Sequence, residues 1–85
     1  MRQVKLTQEW TKIFSEQEKI SFQNSGSNVI VIKSTSKDKA PEEPIGFLYY
    51  PGDKIFNSPV TDICPLGGPY VWGRVLSGTS TIIVH

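Results

Sequence analysis

The sequence has one cysteine, Cys64, and one histidine, His85, among its 85 residues. One cysteine allows no disulfide within the chain, and a single His with a single Cys cannot build a His/Cys metal cage. No stretch approaches the roughly 20 apolar residues that a membrane-spanning helix needs. The opening Met1-Arg2-Gln3-Val4-Lys5-Leu6 lacks the apolar core of a secretory signal. A strong charge of either sign is also missing. Nine Lys+Arg against eight Asp+Glu give +1, too balanced to favour nucleic acid or an anionic membrane. These absences predict a chain made and folded in a cytoplasm. They also leave a domain of 9.5 kDa without staples. Folding at this size buries only roughly 60–65% of the unfolded chain's surface, so association with other subunits is the stabilising aid that remains.

What is present is β grammar. Val4 and Leu6 alternate with polar neighbours, as do Ile20 and Phe22, which is the signature of half-buried strands. Gln23 to Asn28 reads as a turn, with Gly26 available for a positive φ. Val29-Ile30-Val31-Ile32 is apolar on both faces. Such a strand must be covered on both, and in so short a chain the second cover is expected from another subunit. Ser34 to Pro44 holds five of the seventeen charges and two prolines, and reads as an exposed loop over 34–44. Ile45 to Tyr50 reads as a strand closed by Pro51-Gly52-Asp53, where Pro presets φ and Gly takes the left-handed position of a type II turn.

Lys54-Ile55-Phe56 and Val60 to Cys64 are further short strand candidates. Pro65-Leu66-Gly67-Gly68-Pro69 is a loop that cannot enter a sheet interior. Tyr70 to Leu76, then Ser77-Gly78, then Thr79 to Val84 predict an antiparallel hairpin. Gly73, set among bulky neighbours, would let an aromatic ring lie close to the backbone. Residues 1–16 are open in part. Over 8–16, Trp10, Ile13 and Phe14 follow helical spacing, while Trp10/Lys12/Phe14 alternate as a strand. The sum is a single all-β domain over 1–85: a small antiparallel sandwich or barrel of about seven short strands.

No constellation for chemistry emerges. Ser/His/Asp or Cys/His catalysis needs an imidazole base, and His85 stands where chains fray. The eight carboxylates, from Glu9 to Asp62, form no pair at catalytic or Ca²⁺-loop spacing. No P-loop, GxGxxG or CxxC is present. The expectation is a non-enzyme with no catalytic residue, no metal and no cofactor. The remaining feature is aromatic: Trp10, Trp72, four Phe and three Tyr. Such rings serve core and interface packing, or stack on sugars or bases. Candidate interface or ligand contacts are Val29, Val31, Tyr49, Tyr50, Tyr70, Trp72 and Arg74. Trp72 is expected to be buried, in the core or at a subunit contact.

The order of these pieces resembles a family of small phage and prophage structural proteins. The matching stretches are Ile20-Ser21-Phe22-Gln23-Asn24 followed by Gly26, Val29–Ile32, Gly46-Phe47-Leu48, Pro51-Gly52-Asp53, Val71-Trp72-Gly73-Arg74 and Ser77-Gly78-Thr79, within roughly residues 17–84. The resemblance implies a virion component made in a bacterial cytoplasm: a head-decoration, head–tail or tail-associated β-sandwich. It implies no catalytic residues. Its partners would be further copies of itself, as a trimer or dimer, and other virion proteins. A glycan- or receptor-binding module, with Tyr49, Tyr70 and Trp72 on sugar, is the alternative. A single-strand nucleic-acid binder of OB type is a third, disfavoured by the charge balance.

Overall fold

The computed structural model describes residues 2–63 and 67–85. Cys64, Pro65 and Leu66, and with them part of the expected proline loop, lie outside the described residues. The fold is all-β, as the alternation predicts. Among the described residues there are eight strands: β1 (Arg2–Leu6), β2 (Thr11–Ser15), β3 (Lys19–Asn24), β4 (Ile30–Thr35), β5 (Phe47–Tyr49), β6 (Lys54–Pro59), β7 (Tyr70–Val75) and β8 (Ser80–Val84). They form two four-stranded antiparallel sheets, ordered β1-β8-β3-β6 and β2-β7-β4-β5. The inward side chains of both sheets meet in one core, built around Leu6, Phe14, Phe22, Ile30, Ile32 and Ile82.

The predicted Tyr70–Val84 hairpin is not formed. β7 lies between β2 and β4, whereas β8 lies between β1 and β3 in the other sheet. Leu76 to Thr79 is an arch that carries the chain across the core. The same is true almost everywhere: only β4 and β5 are both consecutive and paired, and every other connection changes sheet. A glycine turn between two β-rich runs marks a reversal, but it does not encode which sheet receives the second run.

Two bulges explain the ambiguous stretches. In β2, Lys12 faces Trp72 and Phe14 faces Val71, so Ile13 is the extra residue. The bulge lets neighbouring Ile13 and Phe14 both turn inward. That consecutive apolar pair is what imitates helical spacing over 8–16. In β6, Ile20 faces Ser58 while Phe22 faces Ile55. The extra residue there falls at Phe56-Asn57, where Asn57 has φ 49° and its N–H donates to Ser21 Oγ at 2.7 Å. Val60 to Ile63, expected as a strand, is instead a single helical turn, α1. Pro59 ends β6, and Val60 and Ile63, three apart, bury one face of that turn.

The Tyr50–Asp53 turn follows the sequence reading. Gly52 has φ 91°, and the Asp53 N–H donates to Tyr50 O at 2.9 Å. At Gly26 the reason for glycine is different: a Cβ there would strike Ser80 Oγ and the Thr81 backbone nitrogen. Gly73 faces Ile13, Leu6 and Ile32, so aliphatic tips, and not the expected aromatic ring, fill the space above it.

Candidate functional site

The sandwich has two long sides, each made of one free edge from each sheet. β1 and β2 form one side; β5 and β6 form the other. An edge strand presents unpaired backbone groups and needs protection from unwanted pairing. The β1/β2 side is guarded. Arg2, Gln3, Lys5 and Lys12 are exposed along it. Arg2 Nη2 reaches from β1 to β2 and donates to the carbonyl of the bulged Ile13 at 2.7 Å. Lys12 Nζ pairs with Asp38 Oδ1 at 2.7 Å.

The β5/β6 side differs. Phe56 is 81% exposed, Phe47 51% and Leu48 47%, with Ile45 and Tyr50 beside them on the flanks of β5. The two edges converge inward on one ring. Phe22 sits edge-on to Tyr49 of β5, with centroids 5.2 Å apart, and faces Ile55 of β6 across the ladder.

A wholly buried amide fixes this corner. Asn24, at the end of β3, uses its full hydrogen-bonding capacity. Nδ2 donates to Asn28 O at 2.9 Å and to Tyr49 O at 3.1 Å. Oδ1 accepts from the Gly26 N–H at 3.2 Å and from Ser80 Oγ at 2.9 Å. The Asn24 backbone also binds the turn: its N–H donates to Asp53 O at 2.9 Å, and the Gly52 N–H donates to its carbonyl at 2.8 Å. One residue thereby ties both sheets to the β5–β6 turn. Asn-x-Gly is an Asx-turn signature; its burial was not visible in the sequence.

The seven residues singled out from the sequence separate. Tyr50 lies on the exposed β5/β6 side. Tyr49 is half-buried behind it, and Val29 is half-buried ahead of β4. Val31 and Trp72 point away from the inter-sheet core, yet are only 1% and 9% exposed. Their cover therefore comes from this chain and needs no second subunit. The loop after Thr35 returns over that face, held by Lys12–Asp38 and by Arg74 Nη1 donating to Pro44 O at 3.1 Å. Trp72 Nε1 donates to Thr35 Oγ1 at 2.9 Å. The expected loop over 34–44 starts later than predicted, because β4 runs to Thr35 and Ser34 is buried.

Arg74 is an anchor within the fold. Nε donates to Gln8 O at 2.8 Å, and the guanidinium lies 5.8 Å from the Trp10 ring centroid. Tyr70, half-buried, donates to Glu16 Oε1 at 2.9 Å. That hydrogen bond holds the Tyr70 phenol above its ordinary pKa of 10.0, with desolvation and the negative charges of Glu16 and Asp38 adding in the same direction. Trp72, Tyr70 and Tyr49 therefore do not make a free aromatic platform.

The large apolar residues that stand exposed along this side, Ile45, Phe47, Leu48 and Phe56, were not singled out from the sequence as contacts. Their short runs bounded by Pro44, Pro51 and Pro59 are the signal that could have marked them as edge strands. Among the described residues, no three His, Cys, Asp or Glu side chains gather as a metal site. Compared with known proteins, the chain matches no family model, no curated protein and no solved structure.

Proposed function

We propose that this chain is a non-enzymatic structural module that works by protein–protein contact, and that it serves as a component of a phage or prophage virion. The observation that carries the contact reading is the β5/β6 side, where large apolar side chains, Phe56 and Phe47 among them, stand in solvent along the two edge strands. Large exposed apolar patches on small domains mark interaction surfaces. The virion part of the proposal rests on the resemblance in the order of sequence signals. A shell or tail component needs a fixed shape and a surface that repeats against its neighbours, and a rigid sandwich with one adhesive side fits that work.

The test is particle incorporation. Particles are induced from the strain that encodes the chain, isolated on a density gradient, and searched for the chain by mass spectrometry. The proposal expects it at fixed stoichiometry with the shell or tail proteins. A chain confined to the soluble fraction would refute the virion role.

A further inference from the structure

We propose that the outer face of the β1-β8-β3-β6 sheet binds single-stranded nucleic acid, with Phe56 stacking on a base and Lys5, Lys19 and Lys54 meeting phosphates. The inference goes beyond the protein-contact reading and does not depend on it.

The register assembles this face from distant parts of the chain. Leu6, Ile20, Phe22 and Ile82 point into the core, so the residues alternating with them point outward. Gln3, Ile83, Gln23 and Lys54 form one row across the four strands. Lys5 stands two residues along β1 from that row. Lys19 opens β3 opposite Pro59, and Phe56 projects from β6 between the levels of Lys54 and Lys19.

Charge is the first argument. Every charged residue on the strands of this sheet is a cation: Arg2, Lys5, Lys19 and Lys54. Arg2 turns to Ile13 O, whereas the three lysines are exposed. Among the described residues the only ion pair is Lys12–Asp38, on the other sheet. Glu18 and Asp53 adjoin Lys19 and Lys54 in sequence but lie outside the strands, and Asp53 accepts the Tyr50 N–H at 2.7 Å. The other sheet also carries only cations on its strands, Lys12, Lys33 and Arg74. There the loop after Thr35 lays Asp38 on Lys12 and Pro44 O on Arg74. Lys5, Lys19 and Lys54 stay in solvent. The whole-chain balance of +1 is a sum that hides this face of one sign, and such a face attracts a polyanion.

Phe56 selects the polyanion. An acidic peptide would neutralise the lysines and leave the ring unused, whereas a nucleic acid offers flat bases to it. The ring is 81% exposed, and the bulge holds it there. Asn57 takes φ 49°, and its N–H donates to Ser21 Oγ at 2.7 Å. Lys54, two residues from Phe56 on the same strand, is roughly 7 Å away along β6, and Lys19 is on the adjacent strand. A base on the ring therefore has a cation for the phosphate on either side. Stacking with flanking cations holds single strands with little regard to sequence. In a duplex the base faces are already stacked on one another and closed to the ring. Phe47, at the edge of the other sheet, remains for the protein contact proposed above.

Fluorescence anisotropy of a labelled oligothymidylate of about 12 nucleotides, titrated with the full chain, tests this. The variants are Phe56→Ala, Lys54→Glu and, as a control for charge alone, Lys39→Glu on the loop over the other sheet. All three positions are exposed, and thermal melts establish that each variant is folded. The wild type is expected to bind in the micromolar range at about 50 mM salt. Log Kd should rise with log salt with a slope of about 2, for three phosphates at roughly 0.7 each. Phe56→Ala and Lys54→Glu should each weaken binding about tenfold. Lys39→Glu should weaken it by less than about twofold, because salt screens a distant charge.

No binding at low salt overturns the inference. So does a Phe56→Ala variant that binds like the wild type, or an equal loss with Lys39→Glu and Lys54→Glu. A duplex of the same length that binds as tightly as the single strand removes the role of the ring. Polyglutamate that displaces the probe as readily as unlabelled oligonucleotide would assign the face to acidic protein segments instead. A chain that binds no oligonucleotide yet enters particles defeats this inference and leaves the virion role standing. A chain that binds but is absent from particles does the reverse.

Discussion

The two long sides of this sandwich solve the same problem differently. On the β1/β2 side, charges line the edge, and Arg2 spans from one sheet to cap the bulged carbonyl of Ile13 in the other. On the β5/β6 side, protection comes mainly from a short strand, a bulge and prolines, with Lys54 at the start of β6, while Phe47, Leu48 and Phe56 stand in water. Edge protection and apolar concealment are therefore separable. A side can refuse strand addition and still invite contact, and that combination suits closed assemblies better than fibres.

The largest expected effect contrasts two rings. Trp72 is covered by its own chain and Phe56 is not. Trp72→Ala should cost about 3–5 kcal/mol, the range for truncating a buried large aromatic. Phe56→Ser should change stability by less than about 0.5 kcal/mol, as for an ordinary surface site. Thermal melts under conditions that keep the chain single separate the two. Equal losses would mean that Phe56 is buried within one chain.

Next comes the corner. Asn24→Ala removes the side chain that bonds the carbonyls of Asn28 and Tyr49, the Gly26 N–H and the Ser80 hydroxyl. At about 1–3 kcal/mol for each buried group left unsatisfied, and with some relaxation, the loss should be about 3 kcal/mol. That lowers the melting temperature by on the order of 15 °C for a domain of this size. Hydrogen exchange should quicken first at Tyr50–Asp53, while β1 and β2 keep their protection. Uniform loosening would deny Asn24 its special tie to the β5/β6 side.

A smaller change should convert the guarded side. Arg2→Ala uncaps Ile13 O and removes a charge from the β1 edge, at a stability cost of about 1–2 kcal/mol for a charge-assisted hydrogen bond that is partly solvated. Light scattering should then show a larger mean mass than that of the wild type, because the β1 edge has lost part of its guard. An unchanged mass would mean that Arg2 guards nothing.

The smallest effect is a titration. Glu16 accepts the Tyr70 hydroxyl and raises its pKa. The fold thereby favours the protonated phenol. The associated stabilisation is complete below the ordinary pKa of 10.0 and is lost as pH rises through the higher folded value. In an ultraviolet titration, with Tyr70→Phe to identify the transition, Glu16→Ala should bring Tyr70 back down toward the ordinary value.

Local grammar was legible in this chain. Tyr50-Pro51-Gly52-Asp53 forms the turn its residues predict, and Val71 and Val75 face the core as their alternation requires. Sheet membership was not legible. Ser77-Gly78 has the composition of a hairpin turn and serves as an arch, because the choice of sheet is made by distant partners such as Leu6 and Ile30. The two-faced strand at Val29–Ile32 suggested a missing subunit; Ile30, Val31 and Ile32 are all buried by their own chain. The exposed apolar side chains lie instead on β5 and β6. There, Phe47 and Phe56 look like ordinary strand residues until the strand order places them on an uncovered edge.

The most direct test of that placement is a dilution series of backbone amide NMR spectra. The account predicts that the amides of Phe47, Leu48 and Phe56, and their immediate neighbours, shift as the concentration rises into the high micromolar range, while those of Arg2–Leu6 and Thr11–Ser15 stay fixed. Shifts centred on β1 and β2, with β5 and β6 unmoved, would contradict it.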